Sequence, residues 1–124
     1  MLKRGGKFMA CKIVTNLGNI VFSDEVIANI AGISTMECYG VVGMASRRAT
    51  DGLVELLKRE NLSKGVKVSC ENDELTIELF IVVEYGTKIS VIASNIIQKV
   101  KYTLESLTGL KVKKVVVNVQ SIRV

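Results

Sequence analysis

Histidine is absent from the 124 residues. That removes the side chain that most often moves protons or binds transition metals near neutral pH. What remains for chemistry is sparse. Ser23-Asp24 sets a hydroxyl beside a carboxylate with no base to activate it. Lys88 and Lys99 stand without neighbours that would mark carbonyl chemistry. Asp24/Glu25 and Asp73/Glu74 are adjacent in sequence, so each pair splits across two faces or falls in a turn. Neither pair is set as acid and base around a substrate. Cys11, Cys38 and Cys70 are odd in number, far apart and lack any C-x-x-C pair, which argues against zinc and redox sites. Their spacing predicts buried reduced thiols, above all at Cys38 and Cys70. The residue inventory points away from an enzyme and away from a metal or other cofactor. It points toward a binding or scaffold domain.

The candidate binding residues are basic or apolar. Gly40-Val41-Val42-Gly43 matches by letter the GxxG loop with which KH domains clamp a nucleic-acid backbone. Two valines at its centre favour a strand instead. Arg47-Arg48 and Lys111/Lys113/Lys114 are the densest basic groups, within a net charge of +5. Lys114 is expected to lie beside Lys67 if their strands pair. Together Arg47, Arg48, Lys67 and Lys114 form a candidate contact for an anionic partner, against the plainer reading of a solvated basic face. No aromatic residue interleaves with them, which argues against base stacking and hence against nucleic acid.

These residues must be positioned by one domain, which is what a chain of this length supports. Apolar residues make up 48% and charged residues 23%, a globular balance. Aromatics are 5% and proline is absent, so the core must be mostly aliphatic. Apolar runs reach only about five residues against the roughly 20 a spanning helix needs. The sequence therefore predicts no membrane span and, with no apolar signal segment, a cytoplasmic location. Residues 1–12 read as a poorly ordered leader, with a possible true start at Met9, followed by a single domain over 13–124.

Along that domain, Asn19–Phe22 predicts a strand and Ser23 an N-cap, with Asp24 and Glu25 complementing the helix dipole. The helix that follows extends toward Glu37 and carries Gly32 where a close packing contact is expected. Gly40–Ala45 predicts an extended segment, and Thr50 to about Arg59 a second helix. Val66, Val68 and Cys70 alternate with Lys67 and Ser69, Asn72-Asp73 supplies a turn, and Leu75 to Tyr85 alternates again. Ile89, Ala93, Ile96, Val100, Leu104 and Leu107 line one face of a helix from about Lys88 to Leu107. Gly109 ends it and a last strand spans Val112–Ile122. The expected fold is α+β, in the order β-α-β-α-β-β-α-β. A single mixed or mostly antiparallel sheet carries helices on one face. The crossover through the long helix should make the strands on either side of it parallel neighbours or near neighbours.

That alternation leaves an unusual outer sheet face. Opposite the core residues lie Thr76, Glu78, Phe80, Val82 and Glu84 on one strand, and Lys114, Val116, Asn118, Gln120 and Ile122 on the other. Solvated faces rarely gather Phe80, Val82, Val116 and Ile122, and an apolar patch with a charged rim is how a partner-binding surface looks. The competing reading is that the short early elements fold over it.

Four stretches in order resemble the alkaline-shock protein family, the envelope stress response proteins of Gram-positive bacteria. They are Gly18-x-Ile20-x-Phe22-Ser23-Asp24-Glu25-Val26-Ile27 followed by Ile30-Ala31-Gly32, then Glu37-x-x-Gly40-Val41-x-Gly43-Met44. Next come Val82-Val83-Glu84-Tyr85-Gly86-x-x-Ile89, and finally Leu107-Thr108-Gly109-Leu110 leading into Val115-x-Val117-Asn118-Val119. The chain lacks long acidic or low-complexity tails, as in the short housekeeping branch of that family. The resemblance implies a non-catalytic cytoplasmic interaction protein linked to envelope stress or homeostasis. It also implies self-association and docking to a membrane-anchored protein partner, which would hold the chain at the membrane. An RNA- or anion-binding domain using the basic residues is the alternative.

Overall fold

The structure is a computed structural model that describes residues 10–46, 56–57 and 59–124. The described elements are β1 (Ala10–Thr15), β2 (Gly18–Ser23), α1 (Asp24–Met36), β3 (Val41–Met44), a 3-10 helix (Arg59–Gly65), β4 (Val66–Glu71), β5 (Glu74–Glu84), α2 (Ile89–Thr108) and β6 (Lys111–Arg123). The α+β class holds, but the single sheet does not. β1 and β2 form an antiparallel ribbon of their own, and β3, β4, β5 and β6 form a separate four-stranded sheet.

The long strand β5 organises that sheet. β6 runs parallel to it from Glu74↔Lys111 to Glu84↔Arg123. β4 pairs antiparallel with its first half, Val66↔Leu79 to Glu71↔Glu74, and β3 with its second half, Val41↔Val83 to Met44↔Ile81. Because β6 occupies the full length of one edge, β3 and β4 share the other. The β4–β5 hairpin closes through Asn72 and Asp73, both at positive φ, the backbone a two-residue turn of this kind requires. The parallel β5–β6 pair joined by α2 matches the expected crossover.

Both helices pack on the same face. Ile27, Ala28 and Ala31 of α1 join Ile92, Ile96, Val100 and Leu104 of α2 against Leu75, Ile77, Leu79, Ile81 and Val83 of β5. Ser23 caps α1, its hydroxyl accepting from the Val26 N–H at 3.2 Å. Gly32 allows the contact expected of it, since a Cβ there would lie 3.1 Å from Leu62 Cβ. α2 ends on Gly109 at φ 79, the left-handed cap that favours glycine. Its buried stripe is Ile92, Ile96, Val100, Leu104 and Thr108. Ile92 thus belongs to the stripe, while Leu107, expected on it, is 67% exposed.

Two further expectations change. The stretch 1–12 read as a leader overlaps β1, which begins at Ala10, and Cys11 is buried in the core. Cys11 is bonded to Cys70, with Cα atoms 5.9 Å apart, so Cys70 is not the reduced thiol its isolation in sequence suggested. Cys38 is free. The expected helix from Thr50 lies mostly outside the described residues. At its far end Leu56 bridges Ala45 in antiparallel fashion and the Leu57 N–H donates to the Met44 carbonyl. Those two residues therefore extend the β3 edge instead of forming a helical turn.

Candidate interaction surface

The face of the four-stranded sheet opposite the helices collects the candidate residues in cross-strand rows. In these rows β4 or β3, β5 and β6 contribute side chains to one face. At the β4–β5 turn the row is Glu71, Glu74 and Lys111, with Lys111 Nζ 3.8 Å from Glu74 Oε2. Ser69, Thr76 and Lys114 follow, then Lys67, Glu78 and Val116. Farther along β5 come Phe80 beside Asn118, and Gly43, Val82 and Ser121. The surface therefore runs from charged rows at the turn, through Phe80, Val116 and Val82, to the exposed Glu84 opposite Arg123 at the far end. Phe80 and Val116 are half-buried neighbours on adjacent rows. The Asn118 amide donates to the Leu79 carbonyl at 3.3 Å, which holds that polar side chain against β5.

Val82 does not lie open on this face. It is fully buried, and its partner Gly43 explains how. A Cβ on Gly43 would lie 2.9 Å from Leu56 Cδ2, so Leu56 sits over the row that Val82 shares. The face is thus covered at this end by Leu56, a residue that periodicity sets on the apolar side of the helix expected from Thr50.

Ile122 is not on this face at all. A register shift between Ile81 and Val82 leaves Gln120 without a β5 partner and sets Ile122 opposite Val83, whose side chain points into the core. One extra residue in a strand reverses the facing of everything after it. Ile122 therefore belongs to the helix side, where it is 45% exposed.

Among the basic candidates, Lys67 and Lys114 are exposed. They do not lie side by side, because β5 runs between β4 and β6. Lys67 stands opposite Glu78 and Lys114 opposite Thr76. Arg47 and Arg48 lie outside the described residues. Gly40-Val41-Val42-Gly43 forms strand β3 and its entry, with Gly40 accepting from the Glu84 N–H at 3.0 Å. It is sheet backbone and does not form a phosphate-clamping loop.

Among the described residues, no group of three or more Cys, Asp or Glu side chains is placed to hold a metal ion. No helix among them is long and apolar enough to cross a membrane. Burial pushes the free Cys38 thiol up, with Glu37 adding to the shift and Lys99 opposing it. Glu37 and Lys99 themselves pair at 3.3 Å.

Comparison with known proteins adds one family and several relatives. The model of the alkaline-shock protein 23 family, described by a cell envelope-related function, matches residues 12–124. An uncharacterized Bacillus subtilis protein, YloU, is 47% identical over 117 residues, covering 94% of this chain and 98% of that protein. The uncharacterized Streptococcus pyogenes protein Spy1614 is 44% identical over 117 residues, covering 94% and 97%. A second uncharacterized Bacillus subtilis protein, YqhY, is 35% identical over 109 residues, covering 88% and 80%. No solved structure matches.

Proposed function

We propose, from the premise that this chain belongs to the alkaline-shock protein 23 family and shares its cell envelope-related function, that it acts as a non-catalytic interaction protein. It works in the cytoplasm through self-association and docking to a membrane-associated protein, and the helix-free sheet face is the contact. The observation that carries this reading is the half-buried pair Phe80 and Val116. It lies between a charged rim of Lys67, Glu78 and Lys114 and the Val82–Leu56 cover. Completing the burial of a large apolar side chain contributes up to roughly 1.5–3 kcal/mol, and a partner surface supplies what the chain's own helices do not.

Phe80→Glu tests it. Sedimentation of the full chain across a concentration series should show association weakened at least about tenfold, with the circular dichroism spectrum and melting temperature nearly unchanged. Association equal to wild type would sink the reading, and unfolding would show that Phe80 belongs to the core. Lys67 and Lys114, exposed on the same face, support a second reading as an RNA or anion contact. Phosphate binding falls steeply with salt while apolar docking does not, so a salt series on the same association separates the two.

A further inference from the structure

The β1–β2 ribbon is held to the domain through one end. Among the side chains of residues 11–23, Cys11 is buried, Ile13 and Phe22 are half-buried, and the rest are exposed. At the far end the Thr15 hydroxyl donates to the Gly18 carbonyl at 2.9 Å and accepts from the N–H groups of Leu17 at 3.2 Å and Gly18 at 3.1 Å. Those bonds fasten the turn to itself. Two covalent connections fix the base, where Cys11 stands opposite Phe22. On the Phe22 side the chain passes through Ser23 directly into α1. On the Cys11 side the bond to Cys70 ties the ribbon to β4. Two such points set the ribbon's orientation. With the disulfide open one of them remains, and Ser23 becomes a hinge.

What the ribbon covers is apolar. Cys70, Leu75 and Val112 form one cross-strand row on the helix side of the sheet, and all three are buried. Ile13 Cδ1 lies 3.4 Å from where a Gly109 Cβ would be, next to the buried Leu110. The ribbon therefore closes the end of the core nearest the β4–β5 turn. Its noncovalent hold there is slight, since Ile13 and Phe22 pack against the core only in part. A two-stranded ribbon without such packing is marginally stable at best, so a ribbon that lifts also loses its own pairing.

We propose that Cys11 and Cys70 form a redox latch: their disulfide keeps the β1–β2 ribbon closed over that end of the core, and reduction by a dithiol releases the ribbon about Ser23 and opens the row to solvent. A thiolate of the dithiol attacks one of the two sulfurs, forms a mixed disulfide with it and expels the other cysteine as a thiolate, which takes a proton from water. The dithiol's second thiol, once deprotonated, attacks the mixed disulfide, closes the reductant's own disulfide and expels the second cysteine. The net change moves two electrons and two protons from the dithiol to the protein, and a disulfide oxidant reverses it. Both sulfurs are buried, so attack waits on a transient lifting of the ribbon and reduction is slow. Cys38 takes no part, since it lies at the opposite end of α1 from the ribbon. The latch is on the helix side of the sheet and does not depend on the sheet-face contact proposed above.

Native-state hydrogen exchange tests this on the full chain carrying Cys38→Ser, which leaves a single pair of thiols. Exchange of the amides of 11–23 is compared with that of the α2 amides in the same sample, so that a change in overall stability cancels from the ratio. Between the oxidised chain and the chain held in excess dithiothreitol, the ratio should rise at least about tenfold, and reoxidation should restore it. Ribbon exchange in the reduced chain should also be nearly independent of dilute urea, the sign of a local opening. Cys70→Ala, which cannot form the bond, should match the reduced chain without any reductant. An unchanged ratio would overturn the proposal, because Ile13 and Phe22 would then hold the ribbon unaided. So would a ribbon that tracks α2 at every urea concentration in both states, since the bond would then only stabilise the fold as a whole.

Discussion

Gly40 is where the family-like pattern, the core and the sheet edge meet, and its replacement makes a quantitative prediction. The residue lies at φ 90 between α1 and β3. A Cβ there would run into Ile92 Cδ1 and lie 2.9 Å from Ile92 Cγ1. Gly40→Ala therefore combines two costs. Forcing an L-residue into positive φ costs about 1–2 kcal/mol, and overpacking a filled site costs about 1–3 kcal/mol. The total is about 2–5 kcal/mol, a large share of the roughly 5–15 kcal/mol that a domain has. Ile92→Ala removes both obstructing atoms at a cost of its own, about 2–5 kcal/mol for a buried isoleucine. In that background Gly40→Ala should cost only its backbone part, about 1–2 kcal/mol. The double-mutant cycle then shows a favourable coupling of about 1–3 kcal/mol. Urea unfolding followed by circular dichroism measures all four proteins, with midpoints compared at a common m-value. Additivity within about 0.5 kcal/mol would refute the argument that Ile92 is what excludes a side chain at position 40.

Two more outcomes follow from the cysteines. With Cys11 bonded to Cys70 and Cys38 free, thiol titration in denaturant should find one reactive thiol per chain without reductant and three after reduction. Cys11→Ser should lower stability by about 2–4 kcal/mol, the usual effect of opening a loop of this length. Ready reduction of the folded chain by a mild thiol would contradict the burial of both sulfurs. For Cys38, whose thiol is pushed up mainly by burial, the thiolate that reacts is scarce at mildly alkaline pH. Iodoacetamide should modify it more slowly than free cysteine, Lys99→Ala should slow it further, and Glu37→Gln should speed it. Unchanged rates in both variants would remove Lys99 and Glu37 as causes.

What could be read from sequence was whatever rests on local periodicity. The β4–β5 hairpin follows from two alternating runs around Asn72-Asp73, and α2 from its apolar spacing. The errors arise where a long-range choice decides. Leu107 falls off the buried stripe because each four-residue step from Ile92 to Thr108 overshoots a helical turn by about 40°. The contact line has wound away from Leu107 by the helix end. Ile122 changes face through a bulge at Gln120 that no glycine marks. Cys11 and Cys70 lie 59 residues apart, and only the packing of the ribbon against the core brings them together. β1 was hidden by the glycine-rich basic stretch before it, though Cys11 and Ile13 alternate opposite Phe22 and Ile20 across a turn with a glycine.

The residues that carry the family resemblance mostly have packing reasons, and this bears on where function should be sought. Ser23 caps α1, Gly32 meets Leu62, Gly40 meets Ile92, and Gly43 makes room for Leu56. The Thr108 hydroxyl donates to the Leu104 carbonyl at 2.6 Å and accepts from the Leu110 N–H at 3.1 Å, which seats the start of β6. Such residues specify a fold, and a fold is not a function. Tyr85 and Leu107 are the contrast: both belong to the pattern, and they are 70% and 67% exposed. Neither contributes buried area in proportion to its size. Leu107 lies two residues before Gly109, whose Cβ position would be 3.4 Å from Ile13 Cδ1 of the β1–β2 ribbon, and Tyr85 follows the far end of β5, beyond Phe80 and Val82. Ile20 and Val26, 50% and 46% exposed, belong to the pattern as well, and substitution at such exposed positions should change stability less than substitution at the packed ones.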